Sequence, residues 1–381
     1  MNFIKDTHFY KLRVFIFVAI SFFMLFVAPV SAKQITIEAD GSYTIGDGLD
    51  ENISVAKDRA KTNALRNASE QANVLVESLS IVQEGMLTKD EIQVISANIM
   101  KLQGEPKFKV IPVSDDVIRY QCHVVVLVDT DNVNDKLLQD KQALNEAVRR
   151  NKELTAEVER LNQEMERLKQ QYSIASTDSE RQQIKQEVKK NDDDFAAVQW
   201  NEQGANLYWQ GHYSEAIEAF STAINKNPLY AYAYNNRGVT YNKLHNYSKA
   251  ISDLNQAITL DSNYTAAYIA RGYCYGQIRE YTNAISDFNK AISLDSRSAL
   301  AYSGRGFAYY NIENYEHAIS DFNRSISLDS SDANSFYGRG LAYTNLQHYQ
   351  EALYDFQKAL IINPQLKAAK ENIDMIQKAI Q

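Results

Sequence analysis

Between Ala197 and Leu366 a single pattern recurs at a fixed interval, and it constrains the fold more than any other feature of the chain. Gly204, Gly238, Gly272, Gly306 and Gly340 are each 34 residues apart, and so are Tyr213, Tyr247, Tyr281, Tyr315 and Tyr349. Ala216, Ala250, Ala284, Ala318 and Ala352 keep the same interval. A period of that length, carrying a small residue, an aromatic and an alanine, belongs to stacked helix–turn–helix units. Each unit leaves an apolar face that only its neighbour can cover, so stability approaches a sum over interfaces.

Five units start at Ala197, Ala231, Thr265, Ala299 and Ala333. Their fourth place reads Trp200, Tyr234, Tyr268, Tyr302 and Phe336, and their eighth is always glycine. The eleventh reads Leu207, Tyr241, Tyr275, Tyr309 and Tyr343, and the twentieth is always alanine. Phe220, Leu254, Phe288, Phe322 and Phe356 fill the twenty-fourth; Ala223, Ala257, Ala291, Ser325 and Ala359 fill the twenty-seventh. Pro228 and Pro364 close the first and last units, where the middle three have Ser262, Ser296 and Ser330. On these positions residues 197–366 are identified as a tetratricopeptide repeat array, which implies a mainly α fold, a helix–turn–helix solenoid. Small residues at the eighth, twentieth and twenty-seventh places let the paired helices approach closely, and the aromatics fill the space between units. Residues 367–381 carry Ala369, Ile373, Ile376 and Ile380 on one stripe and read as a capping helix.

One departure from the family pattern is informative. The seventh place, often leucine in the family, is Arg237, Arg271, Arg305 and Arg339 in units two to five, and the twenty-third is Asp253, Asp287, Asp321 and Asp355. Unit one has Gln203 and Ala219 there and lacks both together. Pairing with the next unit would orphan Asp355, whereas pairing within a unit orphans nothing. An Arg–Asp ion pair joining the two helices of each unit is therefore expected. The alternative is an arginine row for anionic ligands.

In the family, the second, fifth, ninth and twelfth places of each first helix line the inner groove. By that resemblance the candidate site comprises Tyr232, Asn235, Val239 and Asn242, then Ile269 and Tyr273, then Ser303, Phe307 and Tyr310, and finally Tyr337. This row is aromatic and uncharged. The paired Lys and Asn that let some family members clamp a chaperone's C-terminal carboxylate are missing, with Asn201 and Ala205 in unit one and Ile269 and Tyr273 in unit three. An extended or helical peptide held by apolar and tyrosine contacts fits the row. The alternative is that these side chains only pack on neighbouring helices.

The N-terminal half differs in kind. Residues 1–32 combine Lys5, Lys11 and Arg13, an apolar run Val14–Val27 and Val30-Ser31-Ala32, the layout of a secretory signal peptide cleaved after Ala32. The apolar run is shorter than the roughly 20 residues a spanning helix needs. An exported protein, periplasmic or associated with a bacterial envelope, is expected; an uncleaved anchor is the alternative. Residues 33–130 read as a small α+β domain: a strand at Gln34–Ala39, a helix from Glu51 to about Leu79, a shorter helix at Asp90–Met100, and a hairpin of Lys107–Pro112 with Val117–Val128. The Ala-rich helix Val55–Ala72, Gly104 before the hairpin and the closing strand Tyr120–Val128 resemble the N-terminal domain of the flagellar-assembly protein FlgT. That resemblance implies an envelope location and an assembly role.

Over residues 131–172, Leu144, Ala147, Asn151, Leu154, Val158, Leu161, Met165, Leu168 and Tyr172 alternate spacings of three and four, the rhythm of a coiled coil. Leucine at d, Val158 and Met165 at a, and Asn151 at a favour a parallel dimer in fixed register. A single exposed spacer helix is the alternative. Residues 173–196 are polar and read as a linker, with Thr177 or Ser179 able to cap a short helix and Asn191–Asp194 marking a solvated boundary.

Catalytic chemistry finds no support. The chain has no phosphate-binding glycine loop, no Cys or His cluster and no nucleophile elbow. Cys122 and Cys274 read as buried free thiols, and His123 beside Cys122 as ordinary strand filling. A net charge of −8 argues against a nucleic-acid partner, and nothing indicates a cofactor, a metal or a small-molecule substrate. The expected function is a non-enzymatic scaffold or adaptor that binds a peptide or protein segment in the concave groove. The rival is a structural or assembly component of the envelope that self-associates through coiled coil and repeats.

Overall fold

A computed structural model describes residues 34–46, 49, 51–82, 92–93, 95–96, 100–114, 117–129 and 141–379. The signal-like segment 1–32 and most of the helix expected at Asp90–Met100 lie outside the described residues.

The N-terminal module is a four-stranded antiparallel sheet with a helix across one face. Its strands are β1 (Gln34–Gly46), β2 (Met100–Leu102), β3 (Lys107–Ser114) and β4 (Val117–Asp129), and its helix is α1 (Ile53–Val82). Central β4 pairs with β1 on one side and with both β2 and β3 on the other. Ile37, Ala39, Tyr43, Tyr120, Cys122, Val124 and Val126 alternate inward to form the core face. Against them lies the stripe Ala56, Ala60, Ala64, Ala68 and Ala72, fully buried at four-residue spacing. Backbones nearly touch at Gly41, where an added Cβ would fall 2.1 Å from the Ala64 nitrogen and 2.6 Å from the Ala60 oxygen. Three side chains plug the outer edge of β1: Asn67 Nδ2 donates to the Asp40 carbonyl, Asn63 Nδ2 to that of Ser42 and Lys169 Nζ to that of Thr44. An edge so blocked cannot template another strand.

Helices α2 (Lys141–Ile174) and α3 (Asp178–Trp209) form a hairpin, and here the structure corrects the sequence reading twice. The expected dimer seam is used inside the chain. Met165 and Leu168 join Val188 of α3 and the sheet in one core, and Val158 and Leu161 join Val55, Phe195 and Val198 in another. These four seam residues are at most 5 % exposed, so they have no surface left for a parallel coiled-coil partner. For Asn151 only the backbone is described. The expected linker at 173–196 is also largely helical, broken only at 175–177. Thr177 caps α3 through a capping box with Glu180, and the helix continues from Asp178 into the first repeat unit with no hinge.

The reason lies in a buried cluster that composition had hidden. Arg59 of α1 is 1 % exposed. Its guanidinium donates to Asn162 Oδ1 at 2.6 Å and Asn191 Oδ1 at 2.5 Å, lies 3.6 Å from Asp192 and stacks 4.3 Å from the Phe195 ring centre. Asp192 also accepts the Asn52 backbone N–H at the start of α1. Asn191 and Asp192, expected as a solvated boundary, are thus the buried partners that fasten the module to the hairpin.

The array follows as expected. Its paired helices are α4 (Tyr213–Lys226), α5 (Ala231–Lys243), α6 (Tyr247–Leu260), α7 (Thr265–Gln277), α8 (Tyr281–Leu294), α9 (Ala299–Asn311), α10 (Tyr315–Leu328), α11 (Ala333–Asn345) and α12 (Tyr349–Ile362), with α13 (Lys367–Ala379) last. The C-terminal half of α3 serves as the first helix of unit one. A Cβ added at Gly204, Gly272, Gly306 or Gly340 would meet the ring of Phe220, Phe288, Phe322 or Phe356 at 2.6–2.9 Å. That contact explains why the eighth place is always glycine. Ala369 and Ile376 of α13 are buried against the last unit, as a cap requires.

Candidate functional site

Each unit from the second onward is held to itself and to its neighbour by an arginine. Arg271 Nε and Nη2 bond both oxygens of Asp287 at 2.8 and 2.6 Å, and Arg237–Asp253, Arg305–Asp321 and Arg339–Asp355 repeat this fork within 2.7–2.8 Å. The intra-unit pairing read from the sequence is therefore present. A third bond was not foreseen. Nη1 of Arg237, Arg271, Arg305 and Arg339 reaches back to Ser221, Asn255, Asn289 and Asn323, all at the twenty-fifth place of the preceding unit. Each guanidinium also lies over the fourth-place ring of its own unit at 5.5–5.7 Å. Hydrogen bonds to the carboxylates raise the pKa of Arg237, Arg271 and Arg305 further, so they stay charged. Asp355 is the most deeply buried carboxylate of the four, and desolvation holds its carboxyl above the usual range despite Arg339. With its donors committed in this way, the arginine row is structural and does not offer a free anion site.

The inner row divides by accessibility. Tyr232 and Leu300, the second-place residues of units two and four, are 36 % and 42 % exposed. Val239, Asn242, Ile269, Tyr273, Phe307, Tyr310 and Tyr337 are half-buried, and Asn235 and Ser303 are buried. Tyr273 and Phe307 stand edge-on to Phe288 and Phe322 at 5.3 and 4.9 Å, so much of their surface serves the stack. Burial raises the Tyr273 hydroxyl pKa, and that hydroxyl donates to the Leu300 carbonyl in the next unit at 3.3 Å. Tyr310 and Tyr337 accept from Asn345 and Asn372. Ser303 belongs to a buried hydroxyl network, receiving Ser335 at 2.9 Å, while Ser335 also approaches Ser325 and Asp332. Burial explains both thiols: Cys122 is raised, and Cys274 is pushed up to about 12, which leaves them inert.

At the N-terminal end of the row, three asparagines form a chain that spacing alone did not indicate. Asn236 Nδ2 donates to Asn201 Oδ1 of unit one at 3.0 Å, and Asn235 Nδ2 donates to Asn236 Oδ1 at 3.2 Å. Asn235 Oδ1 is buried and has no partner. Tyr232, one turn earlier on α5, lies 5.0 Å from the Tyr264 ring and 5.6 Å from that of Tyr230.

Comparison with known proteins agrees with this geometry. Family models of the tetratricopeptide repeat match residues 231–264, 299–332 and 333–366, and a TPR-repeat model matches 204–244 and 280–313. The repeated part of this chain is a tetratricopeptide repeat array, and the class it defines is a protein-interaction scaffold. No curated protein matches the sequence. Among solved structures, MamA is 25 % identical over 44 % of this chain and 92 % of its own, with a TM-score of 0.39. YrrB, described as a TPR protein with an unusual peptide-binding site, is 20 % identical over 49 % and 95 %, at 0.39. A thermophilic TPR protein of Thermus thermophilus, TTC0263, is 19 % identical over 48 % and 99 %, at 0.42.

Proposed function

We propose that the protein is an exported, non-enzymatic adaptor that holds a peptide or protein segment along the inner face of its repeats. The observation that carries this reading is the accessibility of Tyr232 and Leu300 on an uncharged inner row whose other members, Asn235 and Ser303 apart, are half-buried. A rigid base supports the row, because α3 runs unbroken from the N-terminal hairpin into unit one. Export rests on the signal-like residues 1–32, and a periplasmic or envelope location follows from them. The rival reading, a self-associating envelope component, would need a surface other than the seam of α2, which is buried within the chain.

Affinity capture with the full chain tests the proposal. Tyr232→Ala and Leu300→Ala should release a distinct partner while leaving helicity unchanged. Tyr273 and Phe307 are poorer probes, since truncating them also opens the stack on Phe288 and Phe322. Capture of other copies alone, unaffected by Tyr232→Ala and Leu300→Ala, would favour the rival.

A further inference from the structure

The sheet of the N-terminal module has two edges, and the chain treats them differently. On β1, Asp40, Ser42 and Thr44 turn their carbonyls outward, and Asn67, Asn63 and Lys169 occupy them. In an antiparallel sheet a residue points its N–H and C=O to the same side, and that side alternates along the strand. The partners of those three residues on β4 are His123, Gln121 and Arg119, which therefore bond toward Lys107, Lys109 and Ile111 of β3. Phe108 and Val110 then present their backbone groups to the opposite edge. Pro112, which lacks an N–H, falls in the same outward set, as a proline in an edge strand does. Among the described residues, β3 pairs only with β4, and nothing plugs the Phe108 or Val110 backbone.

Side chains along this edge separate by face. Helix α1 packs over β1 and β4, and beyond its flank Phe108 and Val110 are 38 % and 52 % exposed. Lys57 of α1 lies 5.8 Å from the Phe108 ring centre and 6.0 Å from that of Tyr120, the residue paired with Val110. Ile53, one turn earlier on the same helix face, is 54 % exposed. A shallow apolar groove between α1 and β3 results, with a cation on its wall. Lys107 and Lys109 stand on the opposite face of β3, exposed. Among the described residues, no ion pair engages Lys57, Lys107 or Lys109. The chain carries −8 overall, so three such lysines along one edge are a local reversal of sign.

Open backbone groups, an apolar groove and unpaired cations specify an added strand whose side chains alternate apolar and acidic. Pairing with β3 of a second copy would set lysine beside lysine, which disfavours that occupant. Blunting against aggregation explains the lysines and Pro112, but not the exposed Phe108, Val110 and Ile53 beside them. We propose that β3 accepts an extended acidic segment of a partner protein as an additional strand. This surface is separate from the inner row of the repeats and gives the chain a second kind of partner contact.

The test titrates a dye-labelled nonapeptide of alternating glutamate and valine with the full chain and reads fluorescence anisotropy. Saturable binding below about 1 mM is expected, the range open to a contact of this size. A strand pairs along one edge, so methylating either all valine or all glutamate nitrogens should abolish binding. Methylating the other set should change it by less than about twofold. Lys107→Glu with Lys109→Glu should weaken binding about tenfold, the order of two exposed charged contacts reversed in sign, with the thermal midpoint unchanged. Absence of saturation, equal effects of the two methylations, or indifference to the lysine changes would overturn the proposal and leave the adaptor reading untouched. A dimer of the parent chain in sedimentation that the double variant dissolves would assign the edge to a second copy and overturn it too.

Discussion

Truncating one arginine of the array tests how the units are joined. Arg271 is the most informative, because it sits in the middle of the ladder and touches two units at once. Its side chain is 18 % exposed and that of Asp287 is 7 % exposed, so Arg271→Ala strands a nearly buried carboxylate. Stranding a fully buried charge costs about 3–5 kcal/mol. Water reaching the guanidinium side reduces this, and about 2–3 kcal/mol is expected. Asp287→Ala should cost a similar amount by stranding the cation. The double variant leaves no unpaired charge, so it should lie well short of the sum, with a coupling of about 1.5–2.5 kcal/mol. Asn255→Ala removes only the bond to the preceding unit and should cost about 1 kcal/mol. Urea denaturation of the full chain followed by circular dichroism at 222 nm reads all four variants. Additivity of the two single changes within about 0.5 kcal/mol would refute a coupled pair.

Further outcomes follow from other sites. His245, Arg279, Glu313 and Gln347 hold φ of 59–64°, where unit one has Gly211 at 84°. Replacing one of the four with glycine should raise stability by about 0.5–1 kcal/mol, read as a higher thermal midpoint, because an L side chain is strained there. Gly304→Ala should cost about 1–3 kcal/mol in the same assay, since its Cβ would lie 2.4 Å from the Phe288 ring. Arg59→Met should cost about 3 kcal/mol or more by abandoning Asp192, read as faster proteolysis of the 178–196 stretch. Burial holds Glu51 and Asp192 above the usual carboxylate range, although Lys169 and Tyr43 oppose this at Glu51, and Asn52 and Arg59 oppose it at Asp192. Groups raised on folding stabilise fully below their unfolded values near 4 and lose that contribution as pH rises through the folded value. The thermal midpoint should therefore fall as pH rises above about 4, and Glu51→Gln should flatten that slope. Glu159, Glu164 and Glu180 are shifted the other way, but Glu180 is exposed, the other two are only half-buried, and solvent screens them.

The repeat array was legible because each of its rules is stated five times. A lone glycine says little, but five glycines at one interval, each facing an aromatic or leucine sixteen residues on, leave one packing solution. The Arg–Asp fork was legible for the same reason, through the joint absence of both residues in unit one. The bond from arginine to the preceding unit was not. Its acceptors at the twenty-fifth place, Ser221, Asn255, Asn289 and Asn323, are ordinary polar residues whose meaning appears only when adjacent units are set side by side. The asparagine chain at Asn201, Asn235 and Asn236 occurs once, so periodicity gave it no weight.

Hairpin α2–α3 shows where a pattern underdetermines its partner. Spacing of three and four states that an apolar stripe will be covered, and by itself it does not say by what. Two features could have decided between a second copy and the same chain. One is the set Ile184, Val188, Phe195 and Val198, a matching stripe on the next helix and within reach of a short turn at Ser176-Thr177. The other is Arg59, a cation in the middle of an alanine-rich helix face that needs a carboxylate and amide acceptors from elsewhere. Asn191 and Asp192 supply them, so the polar run that looked like a solvated boundary is the fastening itself. A buried charge network fixes register where an apolar seam would tolerate sliding. With that register fixed, α3 enters unit one at one angle, and the inner row is presented on a base that cannot hinge at 173–196. A partner gripping the row would then meet the N-terminal module at a set distance and orientation. Segment insertion at 176 should leave peptide capture intact, because the Arg59 contacts hold the geometry, whereas Arg59→Met should free the two parts to move.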